Sequence, residues 1–307
     1  MKLKLTLMCV ACMALVLAAC GDDNPVQPKK TASATFNTSQ MPILVPNTTF
    51  GSGNLALDGS NSLIFATQNG ILYRISRTTG ELSIAAANIG INEGGPYRLM
   101  SCVYDPVADR IYVGESSSNP TRIYSVNPAT GAYQLLASLG DNGYPQQLLM
   151  APAGFGAHAG YLLVFTYSGG GNGIVAVNPG NPVSTQTVSS LKCTDAVFSP
   201  NGTLYAADWN NNRVVTVSPT GVVTDFVTGI AYPEGLEVNP AGSRLYVASV
   251  TTPDSIKSVT LPGGIVSTLP FEPELDSGYY PAGLVCYAGK LFFCTGESSL
   301  SIDFYDL

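Results

Sequence analysis

One histidine and one tryptophan in 307 residues, with Lys, Arg, Asp and Glu at only 11% of the chain, leave this sequence short of the side chains on which much catalytic and nucleic-acid chemistry is built. A single imidazole removes most catalytic chemistry built on that side chain, such as His-ligated zinc, facial triads and histidine pairs. With 14 Lys and Arg against 21 Asp and Glu, the net charge is −7, and no basic footprint for nucleic acid exists. The apolar stretch from Leu5 to Ala19, about fifteen residues, is too short to span a bilayer comfortably. What is present points elsewhere. A hydrophobic fraction of 45% excludes a disordered chain. The 32 Gly, 21 Pro and 16 Tyr favour short strands and tight turns over helices.

The first residues read as an address. Lys2 and Lys4 form a basic start, Leu5 to Ala19 is the apolar core of a signal, and the stretch ends in Leu17-Ala18-Ala19-Cys20. That ending resembles a bacterial lipobox. The resemblance implies that residues 1–19 are removed as a lipoprotein signal peptide. It also implies that acylated Cys20 anchors the protein to a lipid bilayer, on the extracytoplasmic side of the bacterial cell envelope. A plain secretory signal or a simple membrane anchor is the alternative. Residues 20–32, with Pro, Lys and Asp and almost nothing apolar, form a solvated tether. Removal of residues 1–19 takes away Lys2 and Lys4 and no acid, so the remaining chain is more acidic still. It also removes Cys9 and Cys12, leaving Cys102, Cys193, Cys286 and Cys294 beside the lipidated Cys20.

Residues 33–307 form one domain built on a repeat of about 40–48 residues. Its opening strands are LALDG (55–59), CVYDP (102–106), LLMAP (148–152), AVFSP (196–200), LEVNP (236–240) and LVCYA (284–288). A second strand follows each (SLIFAT, RIYVGE, YLLVFT, TLYAAD, RLYVAS, KLFFCT), then a third, a turn such as ATG or PTG, and an outer strand. This pattern predicts an all-β, six-bladed β-propeller with four-stranded antiparallel blades. Second strands are apolar at consecutive positions, as sheets covered on both faces require. Third strands are expected to alternate more. The last unit stops after its third strand, so residues 33–45 are expected to supply the missing outer strand and close the ring.

The segment LKCTDAVFSPNGTLYAADWNNNRVVTVSPTGVVTDF (191–226) resembles an NHL repeat, and YPEGLEVNPAGSRLYVAS is similar to the gluconolactonase-like superfamily of six-bladed propellers. Lactonases of that superfamily hold calcium on the propeller axis with carboxylates and an Asn where innermost strands begin. The resemblance makes calcium the implied cofactor and Glu234, in Pro233-Glu234-Gly235, the implied metal ligand. Asp195 lies at the corresponding start in the fourth unit, shifted by one residue. The first unit offers Ser52, Gly53 and Asn54 where the family has a Glu, and the sixth offers Ala282 and Gly283. The D-x-x-N-N-R turn of NHL repeats is matched by Asp208 to Arg213, where short polar side chains stabilise a loop.

A second set of candidates is aromatic. Tyr144-Pro145, Tyr232-Pro233 and Tyr280-Pro281 hold the same place before three innermost strands, and Tyr97 lies close to it in a fourth unit. These rings are expected to ring one mouth of the channel, joined by Trp209 with Asn210, Asn211 and Asn212, and by Glu272, Glu274, Asp276 and Tyr279. Such a mouth suits a sugar, a peptide or a cationic ligand; packing between blades is the structural alternative. His158, in a Gly-rich loop, is expected on the opposite face, away from any serine nucleophile there. A tight turn at Ala288-Gly289 puts Cys286 opposite Leu291 and Cys294 opposite Gly283, with the thiols on opposite faces and no disulfide. The sequence thus favours a non-catalytic binding or scaffold propeller serving a small ligand or an envelope protein. The alternatives are a metal-dependent lactonase or related hydrolase using Glu234 and Asp195, and an architectural part of an envelope complex.

Overall fold

A computed structural model describes residues 35–45, 55–91, 98–116, 120–140, 143–167, 173–270, 281–295 and 301–307. Strand β1 is Ile43–Leu44. Blade 1 holds β2 (Leu55–Leu57), β3 (Leu63–Ala66), β4 (Leu72–Ile75) and β5 (Leu82–Ala86). Blade 2 holds β6 (Leu99–Asp105), β7 (Arg110–Glu115), β8 (Arg122–Val126) and β9 (Tyr133–Ser138). Blade 3 holds β10 (Pro145–Met150), β11 (Leu162–Thr166), β12 (Ile174–Asn178) and β13 (Asn181–Ser189). Blade 4 holds β14 (Ala196–Phe198), β15 (Leu204–Asp208), β16 (Arg213–Val217) and β17 (Val223–Thr228). Blade 5 holds β18 (Pro233–Val238), β19 (Arg244–Ser249), β20 (Ser255–Thr260) and β21 (Val266–Thr268). Blade 6 holds β22 (Ala282–Tyr287), β23 (Lys290–Thr295) and β24 (Ser301–Asp306). The fold is an all-β, six-bladed propeller of four-stranded antiparallel sheets.

The packing explains the composition. Side chains alternate across a strand, so Leu63 and Phe65 of β3 face blade 6 while Ile64 and Ala66 face blade 2. In β11, Leu162 and Val164 face blade 2, and Leu163 and Phe165 face blade 4. Both faces of a second strand are therefore apolar, and the run is continuous. Among the described residues the buried apolar side chains form one cluster between each pair of neighbouring blades, six in all, and the sixth joins blade 6 to blade 1. The expected alternation of third strands is seen in part of β20 but not in β24, where only Ile302 is buried, nor in β8 or β12, which are buried almost throughout. Neighbouring blades still cover both faces at that distance from the axis.

The ring closes as expected. β1 pairs antiparallel with β24, Ile43 opposite Ile302, and so becomes the outer strand of blade 6. Ahead of it, Phe36 packs on Phe292 with ring centroids 4.8 Å apart. The Asn37 amide donates to the Arg77 carbonyl in blade 1 at 3.0 Å. One short segment thus grips both blades at the junction and covers the edge of β24.

No disulfide joins Cys102, Cys193, Cys286 and Cys294, all buried. Cys286 faces blade 5 and Cys294 faces blade 1, the opposite-face arrangement expected. The register differs by one residue: Cys294 lies opposite Ala282, not Gly283. A bulge between Ala282 and Val285 takes up the extra residue, with Gly283 at φ 53°.

Candidate functional site

That bulge recurs. The innermost strand slips register by one residue at Leu99/Ser101 in β6, at Pro145/Gln147 in β10 and at Pro233/Leu236 in β18. In blade 4 the Thr194 amide donates to the Ala207 carbonyl while the Ala207 amide donates to the Asp195 carbonyl, so two residues face one. The irregularity sits at the same end of the inner strand in each of these blades. A bulge redirects the side chains beside it, and Asp195 and Glu234 each lie at one.

Below the mouth a belt of buried polar groups links inner strand to inner strand. Ser101 Oγ donates to the Pro145 carbonyl at 2.7 Å. Gln147 Nε2 donates to Asp195 Oδ1 at 2.6 Å, and Thr194 Oγ1 to the Pro233 carbonyl at 2.7 Å. Asp195 accepts two more bonds, from the Ala196 amide on Oδ1 and the Leu236 amide on Oδ2, each at 2.7 Å. The Cys286 amide donates to Glu237 Oε1 at 3.0 Å. Asp195 is 1% exposed. Burial pushes its pKa up to about 8, against the opposing pull of its three N–H donors, and the charge on Glu234 pushes the same way.

At the mouth, three aromatic rings stand in a row. Trp209 opens the single 3-10 turn Trp209–Asn211 that follows β15, and its ring lies 5.1 Å from that of Tyr232 on the next blade. On its other side the ring of Tyr167, the first residue after β11, is 6.4 Å away, edge to face. Tyr167 donates from its hydroxyl to Asn210 Oδ1 at 3.3 Å. Two Asn211 Nδ2 bonds run to Asp208, at 3.0 and 2.8 Å, and Asn212 Oδ1 accepts the Tyr232 amide at 2.9 Å. The Asp208–Arg213 turn therefore serves structure, as its sequence implies, and also aims Trp209.

Glu234 follows Tyr232 by two residues, at the bulge, and is half-buried. Burial alone pushes its pKa up to about 7. Its charge in turn raises the pKa of Tyr167, after the larger effect of that residue's own burial. The structure thus brings Trp209 and Tyr232 together, with Glu234 two residues after Tyr232 and within electrostatic reach of Tyr167 and of Asp195, which is buried in the belt. Tyr144 holds the equivalent place before β10, 46% exposed, and among the described residues no ring contact joins it to that group. Tyr97, Tyr279, Tyr280, Glu272, Glu274 and Asp276 lie outside the described residues, as do Ser52, Gly53, Asn54 and Cys20. Tyr167 and Gln147 were not singled out from sequence, though a signal existed. Tyr167 aligns with Trp209 as the residue after the second strand, and Gln147 aligns with Asp195 in the inner strand.

The calcium set implied by resemblance fits poorly. Calcium takes six to eight oxygens. Asp195 already accepts three bonds, Ala282 and Gly283 carry no side-chain oxygen, and Glu234 is the one uncommitted carboxylate at this point. Among the described residues no group of three or more His, Cys, Asp or Glu gathers into a metal-holding cluster. His158 sits in the 3-10 turn Gly156–His158 between β10 and β11, at the opposite end of the blade from Trp209, as expected. It is buried, and neither ring nitrogen has a hydrogen-bond partner among the described residues, so no serine–histidine pair forms there.

No family model matches the chain, and no curated protein matches it. Solved structures do. A gluconolactonase from Xanthomonas campestris matches at TM-score 0.63 and 13% identity, over 92% of this chain and 98% of its own. The PQQ-bound aldose sugar dehydrogenase from Streptomyces coelicolor matches at TM-score 0.60 and 14% identity, over 86% and 98%. Virginiamycin B lyase from Staphylococcus aureus matches at TM-score 0.57 and 12% identity, over 85% and 97%. At these identities the likeness is one of fold, shared by proteins with three different chemistries.

Proposed function

We propose that this protein is a lipid-anchored propeller of the bacterial cell envelope that binds a ligand, or a partner presenting one, at the mouth of its ring, and does not turn it over. The observation that carries the reading is the row Tyr167–Trp209–Tyr232 beside the uncommitted carboxylate of Glu234. Aromatic faces next to a partly desolvated charge hold a ligand in one orientation. The lone histidine, at the other end of the blade, supplies no base to this mouth. Anchoring rests on Leu17 to Cys20, and replacing Cys20 by Ala should abolish incorporation of labelled fatty acid.

A second reading is a metal-dependent hydrolase using Glu234 and Asp195, favoured by the raised pKa values of this acid pair and by the gluconolactonase-like fold. Thermal shift with calcium and with EDTA separates the two. The binding reading predicts no change in melting temperature with either. Calcium stabilisation that disappears in Glu234→Ala would overturn it in favour of the hydrolase.

A further inference from the structure

We infer that the group taken at the mouth is an alkylammonium, seated against the rings of Trp209 and Tyr232 with Glu234 as its counter-ion. The inference rests on the reading of the mouth as a binding site, and it names the chemistry of what binds.

The first ground is how the neighbouring carboxylates are satisfied. Glu115, at the end of β7, pairs with Arg122 at 3.3 Å. Asp208, at the end of β15, pairs with Arg213 at 2.7 Å and takes both Asn211 bonds. Asp195 accepts three N–H donors. Glu234 differs: among the described residues it has no hydrogen bond and no ion pair. A partly desolvated carboxylate without a partner is unfavourable for the free protein, and a cation supplied from outside is what it lacks.

The second ground is the state of the other polar groups. A neutral sugar needs donors and acceptors together, and the three asparagines of the Trp209 turn are the natural source of both. Asn210 and Asn212 accept from the protein through Oδ1 and Asn211 donates to Asp208, so each amide is held at one end within the protein. Among the described residues the charged group here without a partner is the Glu234 carboxylate, an acceptor only, two residues after Tyr232, and carboxylates and aromatic faces both attract cations. A divalent metal would want further oxygens that the described residues do not place here.

Alkylammonium can come as a free amine or as a lysine side chain on a peptide. Trp209 is the sole tryptophan of the full-length chain, so its emission reports on the mouth alone. The experiment titrates the full-length chain with n-butylammonium, with Nα-acetyl-lysine N-methylamide, with neutral n-butanol, with glucose and with calcium. Saturable change with the two ammonium compounds and none with butanol is expected. Apparent affinity should fall at least tenfold in Glu234→Gln and in Tyr232→Ala. It should rise from pH 6 to pH 8 as Glu234 ionises; Asp195 and Tyr167 are the other titratable groups within its electrostatic reach. A lysine response at least tenfold stronger than that of butylammonium assigns a peptide source, and an equal response a free amine. Glutamine at 234 removes a partly desolvated charge, so loss of folding should not mask the result; a melting temperature no lower than that of the native chain verifies this. Response to glucose but not to ammonium overturns the inference while leaving the mouth a binding site. Response to calcium alone overturns both, and silence toward every probe overturns the inference.

Discussion

The Tyr232 amide donates to Asn212 Oδ1 at 2.9 Å, and both residues hold left-handed backbone, at φ 44° and 52°. Two non-glycine residues in that region, on separate blades and bonded to each other, fix the aromatic mouth in place. The Tyr232 carbonyl is held as well, by the Val250 amide at 3.1 Å. Asn212→Gly keeps the backbone free to adopt this conformation and deletes the acceptor, so it should cost about 1 kcal/mol. Tyr232→Gly relieves roughly 1–2 kcal/mol of left-handed strain and removes a ring that is 48% exposed. Its stability should match or exceed that of the native chain while the ligand response disappears. Urea unfolding of both variants measures this.

Asp195 is the hub of the belt between blades 3, 4 and 5. Asp195→Ala strands the Leu236 amide, a buried donor costing about 1–3 kcal/mol when unmet, and leaves Gln147 Nε2 with only its long bond to the Ala196 carbonyl at 3.4 Å. Gln147→Ala should cost less, because Asp195 keeps two of its three donors. The double variant should be less destabilised than the two single losses summed, since the residues share one bond. Additive losses in denaturant melts would show that they do not act together.

The segment before blade 1 works as a latch. Phe36 is 6% exposed and packs on Phe292 and Tyr287, so Phe36→Ala should cost about 3–5 kcal/mol, as buried Phe truncations do. Loosening it also uncovers the β24 edge, and concentration-dependent association in light scattering should accompany the loss of stability.

Stability should fall as pH rises. Asp195 and Glu234 are raised from ordinary values of 3.8 and 4.5 to about 8 and about 7. Between those limits the native state retains protons that the unfolded chain has released, so the slope of unfolding free energy with pH is negative. The melting temperature should therefore be higher at pH 5.5 than at pH 8.5, and the difference should shrink in Glu234→Gln. A rise over that interval would contradict the assignment.

The blade count, the continuous second strands and the closing segment were legible because each blade must bury both faces, which imposes a repeating apolar pattern on the chain. The grouping of Trp209 with Tyr232 was legible too, from their places beside equivalent strands. What escaped depends on long-range geometry. The bulge that moves Cys294 from Gly283 to Ala282 leaves no mark in the hydrophobic pattern. The Gln147–Asp195–Leu236 link joins residues 48 and 41 positions apart. The asparagines after Trp209 read as ligand contacts or as a structural turn, and only their hydrogen bonds show them engaged within the protein.

The most direct test concerns Glu234 itself: whether it ionises inside an aromatic mouth that reports on it. Trp209 emission of the ligand-free chain should follow a single titration with a midpoint near pH 7, and Glu234→Gln should abolish it. A flat profile, or one that persists unchanged in the variant, would mean that this carboxylate does not govern the mouth.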